Sequence, residues 1–175
     1  PILREYEEPP LEPDQVRIRS EFSAPKHGTE LTFYRGTAPF VSARWDERSR
    51  TFLPSLEPIV NYPLPLGNMT VGVVTELGNQ VTHVKKGDRV YGHLPIRETH
   101  TVSAHQVHPM PDNATPEQIV YLDPANFALA AVRDSNLRLG DKVAVFGMGA
   151  IGLMAAQMAR LSGASLVIVV DPLPI

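Results

Sequence analysis

Cysteine is missing from this sequence: none occurs among its 175 residues. Disulfides and thiolate metal sites are therefore excluded, and the composition fits a reducing cytoplasm, which we predict as the location. Clusters of one charge are missing as well. With 16 basic and 19 acidic residues the net charge is −3, so we expect neither nucleic acid nor an anionic membrane as a partner.

Long apolar runs are also absent, and none approaches the ~18 residues of a membrane span. The acidic residues 1–8 do not resemble a signal peptide. A hydrophobic fraction of 43% and a charged fraction of 20% are typical of a globular protein with one or two domains. Most of the 17 prolines precede residue 125, which predicts loops and short strands there.

Short strands with frequent turns are predicted for the first two thirds of the chain. Val16, Ile18, Ser20 and Phe22 alternate with charged residues, as in a strand with one buried face. Further extended segments are predicted at 71–77, 81–84, 89–91 and 100–107. Residues 29–34 fit a short helix or a loop, and 36–66 look irregular. This spacing of strands and turns indicates an all-β barrel.

The pattern changes near residue 115. Thr115, Pro116 and Gln118 have the order of a helix N-terminus, with a capping residue, a proline and a reciprocal partner. Asp123-Pro124 predicts the start of a second helix that ends near Asn136. We therefore predict two domains, 1–120 and 121–175.

A glycine-rich turn between two apolar runs is the most informative stretch. Residues 142–146 (KVAVF) precede Gly147-Met148-Gly149-Ala150-Ile151-Gly152, a helix-like segment follows to about Leu161, and residues 166–170 (LVIVV) end at Asp171. Strand, glycine turn, helix, strand and acid form the first β-α-β unit of a dinucleotide-binding sheet. A plain β-α-β crossover, with Asp171 merely ending a strand, is the alternative.

Each part of this unit has a physical role. Gly147 permits the tight turn, Gly149 lets a pyrophosphate approach the backbone, and Gly152 lets the helix lie close to the strand. Asp171 lies 19 positions after Gly152 and is placed to accept hydrogen bonds from ribose hydroxyls. Because a carboxylate repels a 2′-phosphate, NAD(H) is favoured over NADP(H).

Four stretches together resemble the medium-chain dehydrogenase/reductase superfamily, the zinc alcohol dehydrogenase-like proteins. They are residues 27–31 (HGTEL), 66–74 (LGNMTVGVV), 86–90 (KGDRV) and the 147–171 unit. The resemblance implies a β + α/β fold: a GroES-like β-barrel catalytic domain, followed by the start of a Rossmann domain, with the active site between them. It also implies homodimers or homotetramers. Because such proteins continue further, we expect this chain to be a fragment or a partly reported chain.

The residues at the family's zinc positions are altered. His27 stands at the first ligand position, Asn68 replaces the second ligand, Met69 replaces the adjoining glutamate, and Asp123 matches the third. Asn68 is a poor zinc ligand, so we predict that catalytic zinc is absent, with His27 and Asp123 as weak candidates. The alternatives are a helix cap for Asp123, a turn residue for His27 and an apolar lining residue for Met69.

Thr29 matches the hydroxyl that hydrogen-bonds the substrate oxygen in the family, and His27 could act beside it as general acid or base. Glu30 matches a supporting acid, or is a surface carboxylate. Surface or structural roles are predicted for the remaining histidines: His83, His93, His100, His105 and His108.

The sequence therefore predicts a zinc-independent, NAD(H)-dependent oxidoreductase that acts on a small molecule. The hydride would pass between nicotinamide and an alcohol, a carbonyl or an activated alkene. The alternative is a catalytically silent nucleotide-binding protein of the same fold. We expect substrate specificity to lie in residues 36–65, which include Trp45 and Tyr62.

Overall fold

The computed structural model describes residues 2–55, 60 and 62–173. The chain folds into two compact units, Pro1–Val120 and Tyr121–Ile175. None of the helices in these described ranges is long and apolar enough to cross a membrane.

A five-stranded sheet forms the first unit, in the order β6-β1-β4-β5-β7. Its strands are β1 (Gln15–Ala24), β4 (Met69–Leu77), β5 (Arg89–Gly92), β6 (Thr99–Ser103) and β7 (Val107–Pro109). All neighbours pair antiparallel. The predicted alternation in β1 is confirmed for Val16 and Ile18, which are fully buried. It does not extend to Phe22, which follows a register irregularity after Ser20 and packs against a different cluster. Residues 81–84 form no strand, although extended structure was predicted there.

The core of this unit lies in two apolar clusters, one on each face of the sheet's central strands. The first is built on Val16, Ile18, Val74, Val90 and Val107. The second contains Met69, Val71 and Ile119, with Phe22 packed against it. Because side chains of one strand alternate between faces, β4 supplies Val74 to one cluster and Val71 to the other. Helix α3 (Pro116–Val120) closes the second cluster.

The segment that connects β1 to β4 is more regular than predicted. Helix α1 (His27–Tyr34) settles the open choice for residues 29–34 in favour of a helix. The interpretation of 36–66 as irregular was wrong in part. This segment contains α2 (Pro39–Ser42) and a hairpin of β2 (Ala43–Asp46) and β3 (Thr51–Pro54). Residues 56–59 and 61 lie outside the described residues.

The second unit is a β-α-β unit preceded by one helix. Helix α4 (Leu122–Asp134) leads to β8 (Lys142–Phe146), α5 (Ala150–Leu161) and β9 (Leu166–Val170), and the two strands pair parallel in register. The predicted strand, turn, helix and strand are confirmed. Gly163, with φ +99°, ends α5 as the sequence indicated.

The two predicted helix starts have different outcomes. The capping arrangement at α3 is confirmed: the Gln118 N–H donates to Thr115 Oγ1 at 3.4 Å, and the Thr115 N–H donates to Gln118 Oε1 at 2.9 Å. The capping role for Asp123 was wrong, because α4 has Tyr121 at its N-cap. Asp123 lies inside the first turn, where its carboxylate still interacts favourably with the helix dipole.

Candidate active site and cofactor site

The glycine turn after β8 is shaped by two glycines whose replacement would strain the backbone. Gly147 has φ +93°, in the left-handed region. A Cβ on Gly152 would lie 1.7 Å from the carbonyl oxygen of Gly147, so any side chain there would push α5 away from the turn. Gly149 is different, because a Cβ on it would enter open space. That space is where a ligand can approach the backbone.

The N-terminus of α5 faces the same space. Gly149 is its N-cap residue and makes no side-chain capping bond, and the first turn, which contains Ala150 and Ile151, carries no acidic residue. The N–H groups of a first helical turn have no partner within the helix. Together with the helix dipole they provide a binding site for an anion such as a phosphate group.

Asp171 holds this turn from the end of β9. Its Oδ2 accepts a hydrogen bond from the Met148 N–H at 2.6 Å, and its Oδ1 accepts one from the Leu173 N–H at 2.9 Å. The bond from Met148, followed by the bond from Leu173, lowers the pKa of Asp171. The carboxylate is therefore fixed and charged beside the glycine turn.

These residues fit a dinucleotide. The open space at Gly149 would accept a pyrophosphate, and each Asp171 oxygen would keep a lone pair for a ribose hydroxyl. When bound, the nicotinamide supplies or accepts a hydride. All seven predicted cofactor residues lie in or beside this turn: Gly147, Met148, Gly149, Ala150, Ile151, Gly152 and Asp171.

The predicted catalytic residues lie in the first turn of α1. His27 is the first residue of the helix and Thr29 the third, and both side chains are exposed. Residues two apart in a helix do not face each other, so His27 and Thr29 point to different sides. The structure brings them to one turn but does not join them in a direct relay.

Glu30 fastens this turn to the segment before β4. Its Oε1 accepts a hydrogen bond from the Lys26 N–H at 2.5 Å, and its Oε2 accepts one from the Gly67 N–H at 2.7 Å. The carboxylate thus connects α1 to the residue that precedes Asn68. Of the two readings left open by the sequence, the contacts match the supporting acid.

The residues at the expected zinc positions do not fit zinc. Met69 is 2% exposed and belongs to the core, so it is not a lining residue of a site. Asn68 offers an amide, and its backbone oxygen lies 3.2 Å from His93 Nδ1. His27 and Asp123 belong to different units. No set of three or more candidate metal-ligating side chains occurs within the described ranges. We derive no catalytic step through zinc.

The other histidines make structural contacts. His83 Nε2 lies 2.9 Å from the Ala104 carbonyl oxygen, and its ring stacks on His105 at 6.0 Å. His108 packs against Tyr91. His100 is 3% exposed. Burial lowers its pKa, the charge of Arg97 lowers it further, and the charge of Glu8 opposes both.

Sequence reasoning located specificity in residues 36–65 but missed the packing of the aromatic rings. Phe33, Phe40, Phe52 and Trp45 form a continuous series, which we call the aromatic strip. Consecutive ring centroids lie 6.2, 5.0 and 5.2 Å apart. The sequence did contain a signal for this hairpin: Trp45 and Phe52 each have a polar neighbour in their strand, and both lie close to a turn at residues 47–50. Tyr62 donates a hydrogen bond to the Phe33 carbonyl oxygen.

Comparison with known proteins identifies the first unit. Residues 12–112 match the family model described as the alcohol dehydrogenase GroES-like domain. The chain belongs to this family. The predicted superfamily and the predicted fold class, a GroES-like domain followed by the start of a Rossmann domain, are thereby confirmed. Proteins of this superfamily use NAD(P)(H).

Among the relatives of this alcohol dehydrogenase-like chain is D-guloside 3-dehydrogenase of Escherichia coli K12, at 40% identity over 98% of this chain and 51% of the relative. (R,R)-butanediol dehydrogenase of Bacillus subtilis is 29% identical over 98% of this chain and 55% of the relative. The crystal structure of 2R,3R-butanediol dehydrogenase from Bacillus subtilis superposes with TM-score 0.69 at 25% identity, covering 97% and 59% of the two chains. The chain thus spans about half the length of its curated relatives.

Proposed function

We propose that the protein catalyses NAD(H)-dependent oxidation of a secondary alcohol on a sugar- or polyol-like molecule, and the reverse reduction, without zinc. The observation that carries this proposal is the carboxylate of Asp171 at the glycine turn. It supports an adenosine ribose with free hydroxyls, because a 2′-phosphate would meet a fixed negative charge. The names of the relatives, a D-guloside 3-dehydrogenase and a butanediol dehydrogenase, support the alcohol.

Thr29 is the proposed donor to the reacting oxygen. Its side chain is exposed in the first turn of α1, and a hydroxyl can donate to an oxygen that gains negative charge during hydride transfer. His27 is the proposed general acid or base. Because it does not face Thr29, its proton exchanges through solvent or through the substrate itself.

Two other functions compete with this one. Reduction of an activated alkene needs no metal, and the altered zinc positions at Asn68 and Met69 favour it. The same two residues favour a catalytically silent nucleotide-binding protein. Cytoplasmic location and assembly as a homodimer or homotetramer stay predictions from the sequence.

The first test combines metal analysis with a substrate panel. Protein purified without chelators is analysed for zinc and incubated with NAD⁺ and secondary alcohols, or with NADH and ketones, enones and quinones. We expect NAD⁺ reduction by polyols or glycosides in zinc-free protein. About one zinc per chain would contradict zinc independence. Turnover of enones alone would favour the alkene reductase, and no turnover with bound NADH would favour the silent protein.

A variant pair tests the role of Thr29. Thr29→Ala should lower kcat by about 100-fold, the usual contribution of a positioned proton donor, with the Kd for NADH unchanged. Thr29→Ser keeps the hydroxyl and should restore most of the rate. Equal rates for the alanine variant and the natural protein would refute the assignment.

A further inference from the structure

The aromatic strip begins on the helix that carries Thr29. Thr29 and Phe33 lie four residues apart in α1, so their side chains share one face of the helix. Phe33 then contacts Phe40, and the series continues to Phe52 and Trp45. The rings therefore lead away from the proposed substrate oxygen, starting one helical turn from it.

The β2–β3 hairpin fixes the far end of the strip. Trp45 pairs directly with Phe52, and Asp46 closes the turn by accepting hydrogen bonds from the Ser49 N–H at 2.7 Å and from its hydroxyl at 2.6 Å. Two of the four rings remain open to solvent, with Trp45 at 44% and Phe40 at 38% exposure. The hairpin thus presents Trp45 at a defined position next to Phe52, and Phe52 contacts Phe40 of α2.

The strand residues that share a hairpin face with Trp45 and Phe52 are uncharged: they are Ala43 and Pro54. Side chains of a strand alternate between faces, so Trp45 and Phe52 share one face of the hairpin while Arg44 and Asp46 lie on the other. Aromatic faces carry partial negative charge and attract the C–H edges of another ring. A neutral sugar or phenyl ring fits this surface, whereas the paired strand residues that share it, Ala43 and Pro54, offer no cation to a phosphorylated sugar.

We propose that the aromatic strip binds a second, uncharged ring of the substrate, so that the substrate is a glycoside with a cyclic aglycone or second sugar rather than a free sugar or open-chain polyol. This inference rests on the proposed function, because it takes the ring being oxidised to lie at Thr29. Its basis is the length of the strip: four rings in series extend beyond what one sugar ring at Thr29 could cover.

Trp45 provides a direct readout, because it is the one tryptophan of the chain. Its fluorescence is followed while the protein is titrated, without cofactor, with methyl and phenyl glycosides of one hexose and with a disaccharide of that hexose. We expect a saturable shift to shorter wavelength with the phenyl glycoside, the disaccharide or both, and none with the methyl glycoside. The two ring sources are thereby distinguished. No shift with either, or an equal shift with the methyl glycoside, would overturn the inference.

Turnover gives a second readout that keeps the tryptophan intact. Phe40→Ala should lower the ratio of kcat/KM for the preferred two-ring glycoside to that for the methyl glycoside by about fivefold, the usual effect of one aromatic contact. Leu53→Ala is the control: it removes an exposed apolar side chain from the face of the β2–β3 hairpin opposite Trp45 and Phe52, and it should leave the ratio unchanged.

The two proposals fail differently. If no glycoside or polyol is oxidised, the proposed function fails, and the fluorescence titration alone decides whether the strip binds rings. If methyl and two-ring glycosides are oxidised with equal kcat/KM, and Phe40→Ala changes both equally, the proposed function stands and the second-ring site is refuted.

Discussion

The antiparallel sheet of the first unit and the parallel strand pair of the second bury their apolar residues to different degrees. In the first unit, Ile18 and Val74 are almost fully buried between partners distant in sequence. In the second unit, Phe146 is 77% exposed, and Ile168 and Val170 are also exposed. Distant partners give the first unit its core, whereas contacts close in sequence give the second unit its turn geometry.

The sharpest test of this difference is at the glycine turn. Gly152→Ala would bring a Cβ to 1.7 Å from the Gly147 oxygen, so we expect the second unit to lose more than about 3 kcal/mol of stability and NADH binding to be lost. Hydrogen exchange of α5 and NADH titration measure the two effects.

Gly149→Ala is the control for that substitution. Its Cβ enters open space and its backbone is extended, so hydrogen exchange should not change, while NADH affinity falls because the methyl group occupies the pyrophosphate position. If both variants bind NADH as the natural protein does, the turn is not the cofactor site.

The second prediction compares the two cores. Ile18→Ala removes a buried side chain and should lower the free energy of unfolding by about 3 kcal/mol. Ile168→Ala removes an exposed side chain and should cost less than about 1 kcal/mol. Urea unfolding measures both. Equal losses would show that Ile168 is covered in solution, and the contrast between the units would disappear.

Asp171 gives a smaller effect, confined to the second unit. Asp171→Asn removes the negative charge while keeping an oxygen that can accept the Met148 N–H. We expect the preference for NADH over NADPH, measured as the ratio of Kd values, to fall by about tenfold. The reason is that the variant loses a pair of hydrogen bonds to the ribose hydroxyls and the repulsion of a 2′-phosphate. An unchanged ratio would show that Asp171 only supports the turn.

The smallest effect belongs to His100 in the first unit. Burial lowers the pKa of His100 in the folded chain, whereas the unfolded chain keeps the usual value of about 6.5. At a pH between these two values the unfolded chain binds a proton that the folded chain does not. Stability of this unit should therefore fall as the pH falls from 7 toward 5. His100→Gln should weaken that dependence, as measured by urea midpoints. Loss of stability with unchanged slope in the variant would contradict this cause.

The glycine turn of the second unit could be predicted from the sequence, whereas the aromatic strip of the first unit could not. Gly147, Gly152 and Asp171 belong to one strand, turn, helix and strand unit with a known spacing of glycines and acid, so their arrangement was predictable. The aromatic strip was not, because Trp45 and Phe52 meet across a turn at residues 47–50 that has no glycine or proline to mark it, and Phe33 meets Phe40 of α2, a helix that was not predicted. The burial of Met69 was missed because its partner Ile119 is distant in the chain.

The hydrogen bond between Asp171 and Met148 also has an evolutionary consequence. If the same carboxylate recognises the ribose and holds the turn, a single substitution at this position cannot change cofactor preference without also disturbing the turn. A small residue that admits a 2′-phosphate would leave the Met148 N–H without its acceptor. A lineage that exchanged cofactors would need a second change to restore that acceptor, and the order in which the two arose would matter.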